Sequence, residues 1–154
     1  MLHFLTFRLA GEEYGLDLSS VEEIIEPRYI QVLPGLPVSY LGIMELQGRN
    51  IPVIDLMACL KLSAQGEMLN NALLICRFSS ACLSGQAGGG REGTPGGERE
   101  IGILVDEVGE TLAISPEEIR PVPPLLSKEK EHWLGIVLRK ERLILLINLE
   151  KLAL

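Results

Sequence analysis

The stretch from Leu33 to Leu56, LPGLPVSYLGIMELQGRNIPVIDL, constrains the fold more than any other. Pro34 and Pro37 fix φ and end whatever element precedes them. Two apolar runs follow, Ile43 to Leu46 and Ile51 to Leu56, on either side of Gly48-Arg49-Asn50. That pattern predicts a strand, a tight turn and a second strand, with Gly48 or Asn50 taking a positive φ. Pro52 cannot donate to a ladder, so it belongs at an edge, at a bulge or at a strand start. The stretch is one hairpin of an all-β domain.

The rest of the chain repeats this grammar. Leu5, Phe7 and Leu9 alternate with Thr6 and Arg8. Ala10-Gly11-Glu12-Glu13 turns the chain, and Tyr14, Leu16 and Leu18 resume period two. This is an N-terminal hairpin. Ser19-Ser20-Val21-Glu22 has the form of a capping box opening a turn or two of helix before Pro27, while the β-branched residues suit an extended path from Glu23 nearly as well. Met57 to Leu62 suits a short helical turn, and Leu73 to Phe78 and Ile101 to Val108 read as strands. Ser115-Pro116-Glu117-Glu118 is a helix start that Pro121, Pro123 and Pro124 cut short. Leu134 to Leu138 and Leu143 to Leu149 form a last hairpin across Arg139-Lys140-Glu141-Arg142, and Asn148 caps a terminal helix, Leu149 to Leu154. Eight to ten short strands imply sheets closed as barrels or stacked as a sandwich.

One segment differs in kind. Ser84 to Glu100 holds seven glycines and no large apolar side chain, so it is expected to be a mobile loop. No Gly-Lys-Ser/Thr follows the glycines, which argues against a phosphate-binding loop.

At 154 residues, the chain makes one ordinary domain or two small ones packed together. A hydrophobic fraction of 47% is enough for a core without disulfides. The net charge of −7 argues against nucleic acid, whose backbone needs a basic face. Cys59, Cys76 and Cys82 show neither CxxC spacing nor a nearby histidine, so buried thiols in a reducing cytosol are expected, with no metal site. No apolar run approaches about 18 residues, so no membrane insertion and no signal peptide are expected.

Catalytic candidates are thin. His3 is terminal and His132 sits in a charged run. No nucleophile elbow occurs, and no cysteine neighbours a base. Asp17, Asp55 and Asp106 are isolated acids. Asp55, after Ile-Pro-Val-Ile, resembles the acceptor of a receiver domain, but the chain lacks the acidic pair and the strand–helix alternation that such a parallel sheet requires. Asp55 is read as a turn-capping or hydrogen-bonding acid at a strand end. With no catalytic site and no cofactor indicated, function is expected in surfaces.

The order of these fragments resembles the CheW-like adaptors that join bacterial chemoreceptors to a histidine kinase. Phe4 to Leu9 followed by Glu13 to Leu18 is similar to the family's opening hairpin. Val21-Glu22-Glu23-Ile24 is similar to its next step, and Pro37, Gly42, Leu46, Gly48, Pro52, Val53 and Asp55 are similar to its central signature. Gly102 to Val108, Ile119 to Pro123 and Leu143 to Leu152 are similar to its second half. The resemblance implies a single CheW-like domain over 1–154 made of two SH3-like five-stranded β-barrels. The subdomains are expected at about 10–70 and at 1–9 plus 71–154.

It also implies a non-catalytic, cytoplasmic chemotaxis adaptor. The partners would be the regulatory domain of a CheA-type histidine kinase and the cytoplasmic tip of methyl-accepting chemoreceptors. By position, Val21 and Glu23 would face the receptor, although Val21 serves equally well as core. Gly42 and Gly48 would shape the hairpin. Most members carry arginine where this chain has Gln47, which loses the charge and the forked donor geometry. An ion pair across the groove to Glu23 is then expected to be missing. The alternatives are a diverged scaffold of the same fold in another signalling or motility system and, from a different class, a phospho-acceptor using Asp55.

Overall fold

Alternating apolar side chains make most of this chain extended, and the computed structural model describes it over residues 1–60, 71–79, 98–123 and 133–151. Ten strands are described: β1 Leu2–Leu9, β2 Glu12–Asp17, β3 Val21–Ile25, β4 Tyr40–Leu46, β5 Arg49–Ile54, β6 Ala72–Ser79, β7 Glu98–Val105, β8 Glu107–Ile114, β9 Trp133–Arg139 and β10 Arg142–Ile147. They form two five-stranded sheets, ordered β3-β6-β7-β5-β4 and β8-β1-β2-β10-β9. Each sheet is mostly antiparallel with one parallel contact, β5 with β7 and β10 with β2.

Each sheet curls into a small barrel closed by a single bridge. The chain leaving β3 returns at Gln31, which exchanges both backbone hydrogen bonds with Ile43 of β4 at 2.8 and 2.9 Å. The chain leaving β8 returns at Arg120, which does the same with Ile136 of β9 at 2.9 and 2.8 Å. In both cases a glycine precedes the bridged residue. A Cβ on Gly42 would collide with the Gln31 carbonyl oxygen, and one on Gly135 would lie 2.6 Å from that of Arg120. The two barrels are therefore built on one plan: edge strand, returning bridge, hairpin, then two further strands. One barrel takes its five strands from 21–105 in sequence. The other begins at β8 and borrows β1 and β2 from the start of the chain.

This partition corrects the expected subdomain limits. β2 does not join the following residues, because Glu13, Tyr14 and Gly15 pair in parallel with Ile144, Leu145 and Leu146. β6 and β7 lie in the contiguous barrel with β3 and β5 rather than with the C-terminal strands. The run from Ile101 to Val108 is two strands, because the chain passes from one barrel to the other at Asp106. That crossing is pinned: Asp106 Oδ2 accepts the Ala10 N–H at 2.8 Å, and the Asp106 N–H donates to Arg8 O at 2.9 Å.

Local departures have local causes. Leu18–Ser20 is a 3-10 turn whose cap is Asp17, accepting from Ser19 N at 2.9 Å; the chain is extended from Val21, so β-branching wins over the capping-box pattern. The β4–β5 turn is Gln47-Gly48, with φ of 53° and 81°, rather than Gly48 or Asn50 alone. Pro52 sits one residue before β5 joins β7, where no N–H is needed on that side. Leu56–Leu60 forms the short helix α1. Leu149–Lys151 is a 3-10 turn, and the expected helix beyond it falls outside the described residues. Of the expected loop from Ser84, residues 84–97 lie outside the described residues, and Glu98 to Glu100 belong to β7.

Three apolar clusters result. Met44, Leu46, Ile51, Val53, Leu73 and Ile75 fill the contiguous barrel. Phe4, Ile114, Val137, Ile144 and Leu146 fill the other. Strand alternation sends the neighbours of these residues, such as Leu74, Cys76, Leu145 and Ile147, into a larger core between the barrels with Leu5, Phe7, Tyr14 and Leu16. There the Tyr14 ring stacks between Phe7 and Trp133 at centroid distances of 5.7 and 6.3 Å.

Two outcomes follow from this geometry. Gly42→Ala opens the bridge to Gln31 and costs more than about 2 kcal/mol in urea denaturation. Gly48→Ala, whose Cβ would point into open space, costs only about 1 kcal/mol for the left-handed backbone. Glu118 and Arg139 tie the 3-10 turn Pro116–Glu118 to β9 through Nε and Nη2 donors, each at 3.0 Å. Those bonds, with the Ser115 N–H, hold the Glu118 carboxyl down at about 2. Its contribution to stability is present above the ordinary value of 4.5 and is lost as pH falls toward about 2. Arg139→Ala therefore flattens the decline of Tm across that acid window.

Candidate partner-binding surface

β3 is the edge strand of the contiguous barrel. It pairs with β6 through Val21↔Cys76, Glu23↔Ile75, Ile24↔Leu74 and Ile25↔Leu73, with a register irregularity between Val21 and Glu23. The irregularity and the run of glutamates blunt an edge that would otherwise invite another strand. Of the residues expected to meet a partner, Glu23 is exposed, and Val21 is half-buried against the inter-barrel core. Val21 is thus partly core and partly surface. Gln47 and Gly48 are exposed at the tip of the β4–β5 hairpin, whereas Gly42 is buried beneath the closing bridge and presents no surface.

Sequence reasoning missed a row of charges that runs across the same barrel. Arg77 Nε on β6 pairs with Glu22 of β3 at 3.1 Å, and Arg77 Nη2 lies 3.6 Å from Glu100 of β7. Arg49 Nη1 at the start of β5 then closes on Glu100 at 2.5 Å. A side-chain hydrogen bond to Glu100 raises Glu22 above the ordinary carboxylate range, with burial adding to it. Burial pushes Glu100 up, but hydrogen bonds from Glu22 and Arg49 outweigh it and leave Glu100 lowered. The guanidinium that Gln47 lacks is thus present two residues on, at Arg49, facing Glu100 rather than Glu23. The acid–base alternation was visible in the sequence; its cross-strand partners, about fifty residues away for Arg49 and Glu100, were not.

Beside this edge the two barrels meet in an open cleft. Ile24, Ile25 and Glu26 line it from the end of β3, Asn71 and Ala72 from the start of β6, and Asp106, Glu107 and Val108 from the crossing into β8. Ile24 is 48% exposed there.

Among the described residues, Asp55, Cys59 and Cys76 have structural roles, and Cys82 and His132 lie outside the described residues. Asp55 caps α1, its Oδ1 accepting Ala58 N–H at 3.3 Å and its carbonyl accepting Cys59 N–H at 2.9 Å, as expected of a capping acid. Burial raises the Cys59 and Cys76 thiols to about 12, which leaves them protonated and unreactive at neutral pH. Among the described residues no group of three histidine, cysteine or acidic side chains is placed to hold a metal, and no helix is long and apolar enough to cross a membrane.

Comparison with known proteins agrees with this architecture. The family model described as a CheW-like domain matches residues 3–154. The chemotaxis protein CheW of Klebsiella aerogenes is 30% identical over 97% of this chain and 80% of its own length. That of Helicobacter pylori is 24% identical over 99% and 81%. Among solved structures, the scaffolding protein TtCheW of Thermoanaerobacter tengcongensis superposes with a TM-score of 0.75 at 28% identity, covering 96% of this chain and 84% of that one. The chain belongs to the CheW-like family.

Proposed function

We propose that this member of the CheW-like family is a non-catalytic cytoplasmic adaptor. It couples the cytoplasmic tip of methyl-accepting chemoreceptors to the regulatory domain of a CheA-type histidine kinase. The observation that carries the reading is the family match over residues 3–154, joined to a fold whose described polar groups include the Asp55 cap of α1 and the Arg49–Glu100 ion pair. One barrel docks on the kinase domain. The receptor meets the β3 edge, where Glu23 and Ile24 are exposed. Both contacts are made by preformed surfaces, which lowers the ordering cost of association.

A second reading, a diverged scaffold for another signalling or motility system, is favoured by one observation. Gln47 occupies the hairpin tip where the resemblance implies arginine, and the nearby Arg49 is already committed to Glu100.

Isothermal titration of the purified chain with the regulatory domain of its cognate CheA-type kinase separates them. The adaptor reading predicts an equimolar complex with Kd of about 1 µM or tighter. It also predicts that Gln47→Arg strengthens capture of the receptor's cytoplasmic fragment. A folded protein that shows no binding to the kinase domain overturns the adaptor reading and leaves the diverged scaffold.

A further inference from the structure

The three arginines that hold carboxylates through Nε and Nη2 do so in two different ways. On Arg139 that edge of the guanidinium takes both oxygens of one carboxylate, Glu118, and on Arg142 it takes both oxygens of Glu13. On Arg77 the same edge is divided between two residues: Nε lies 3.1 Å from Glu22, and Nη2 lies 3.6 Å from Glu100. Two separate carboxyl groups thus stand side by side where one would ordinarily fit, and a side-chain hydrogen bond joins them. Such a bond needs a proton, because two ionised carboxylates have only acceptors to offer each other.

The backbone shows which carboxyl moves. Arg77 continues the inward-facing row of Leu73 and Ile75 on β6, and Arg49 precedes Ile51 and Val53 on β5, so both arginines are held by regular strands. Glu22 is the residue that the β3–β6 register skips, between Val21↔Cys76 and Glu23↔Ile75. No ladder partner fixes it, and a side chain at such a bulge is re-aimed at little cost. The groups that face Glu22 are Arg77 and the Cys76 thiol from β6, Glu100 from β7 and Arg49 from β5. Glu100 answers to two guanidinium groups, Arg49 at 2.5 Å and Arg77, whereas Glu22 has only Arg77 among the described residues. Negative charge therefore stays on Glu100, and Glu22 takes the proton.

We propose that Glu22, Arg77 and Glu100 form a proton-operated latch on the edge strand β3: a proton from solvent moves Glu22 from its ion pair with Arg77 to an O–H···O⁻ hydrogen bond with Glu100, and its loss restores the ion pair. Mild acid then ties β3 to β7, and neutral pH ties it to β6. With Arg49 the cluster has two arginines and two glutamates, so it passes from no net charge to one positive charge when the proton binds, and the surface beside the edge becomes more favourable to an acidic neighbour. The two carboxyls act oppositely on stability. The Glu22 contribution is present in acid and is lost as pH rises through its raised folded value, whereas that of Glu100 is present above the ordinary 4.5 and is lost as pH falls. The latch is a property of the chain alone and does not rest on the adaptor reading.

The test is an NMR titration of the full chain labelled with carbon-13 and nitrogen-15, following the side-chain carboxyl carbons of Glu22 and Glu100 and the Nε–H of Arg77. Glu22 is expected to titrate at higher pH than the exposed glutamates and Glu100 at lower pH. The Arg77 Nε–H is expected to change shift, and to exchange faster with solvent, in step with protonation of Glu22. In Glu100→Gln, Glu22 should lose its upward displacement and titrate at or below the exposed glutamates, because only Arg77 is left to act on it. In Glu22→Gln, the Arg77 Nε–H should keep one shift across the range in which it moves in the wild-type chain. Titration of Glu22 together with the exposed glutamates in the wild-type chain would overturn the proposal without recourse to any variant. So would an Arg77 Nε–H indifferent to the protonation of Glu22, or a Glu22 titration unchanged by Glu100→Gln.

Discussion

The structure depends on the apolar layer between its two barrels. Among the described residues, the interior of one barrel holds six buried apolar side chains and that of the other holds five, whereas the layer between them holds twenty-one. Barrels this small bury too little to stand alone without a metal, a disulfide or a partner. Each uses the other as that partner. Strand alternation makes this possible: in β6, Leu73 and Ile75 point into one barrel while Leu74 and Cys76 point at the other. In β10, Ile144 and Leu146 point inward while Leu145 and Ile147 face the shared layer. Tyr14 lies fully buried in this layer, stacked against Phe7 from β1 and Trp133 from β9, and burial raises its hydroxyl to about 12, with Glu12 adding to it.

From that layer follow the two crossings of the chain. One is the capped turn at Leu18–Ser20, and the other is the single residue Asp106. Both are short, and the end of β3 and the start of β8 line one cleft between the barrels. The surfaces proposed to face partners are consequences of this arrangement rather than additions to it. The edge that carries Glu23 and the cleft lined by Ile24 lie where the two barrels meet, and the row from Glu22 to Arg49 runs from that edge across one barrel. A rigid body with exposed edges suits the proposed adaptor role, in which partners are held in register.

Much of this was legible in the sequence, and the reasons are specific. Period two in Leu5, Phe7 and Leu9 marked β1, and Gly48 between two apolar runs marked the β4–β5 hairpin. Asp55 before α1 was recognisable as a cap because its chemistry is local. What escaped is set by distant pairing. Leu73-Leu74-Ile75-Cys76 and Ile144-Leu145-Leu146-Ile147 are apolar on both faces, so no alternation says which side belongs to which core. The assignment of β2 to the C-terminal strands rests on a parallel contact with β10, more than a hundred residues later. Asp106 looked isolated because its partner, Ala10, is 96 positions away. Gln47 takes a left-handed backbone, an uncommon choice for glutamine, and only the two-residue turn reveals why.

The most direct test of the shared core is native-state hydrogen exchange in rising urea, followed amide by amide. If the two barrels are one body, the slowest amides of β6 and β7 and those of β1 and β10 converge on a single opening free energy, with one common dependence on denaturant. If the barrel made of β1, β2 and β8 to β10 opens at a markedly lower free energy while β3 to β7 stay protected, the barrels are separable and the shared layer is not what holds the molecule together.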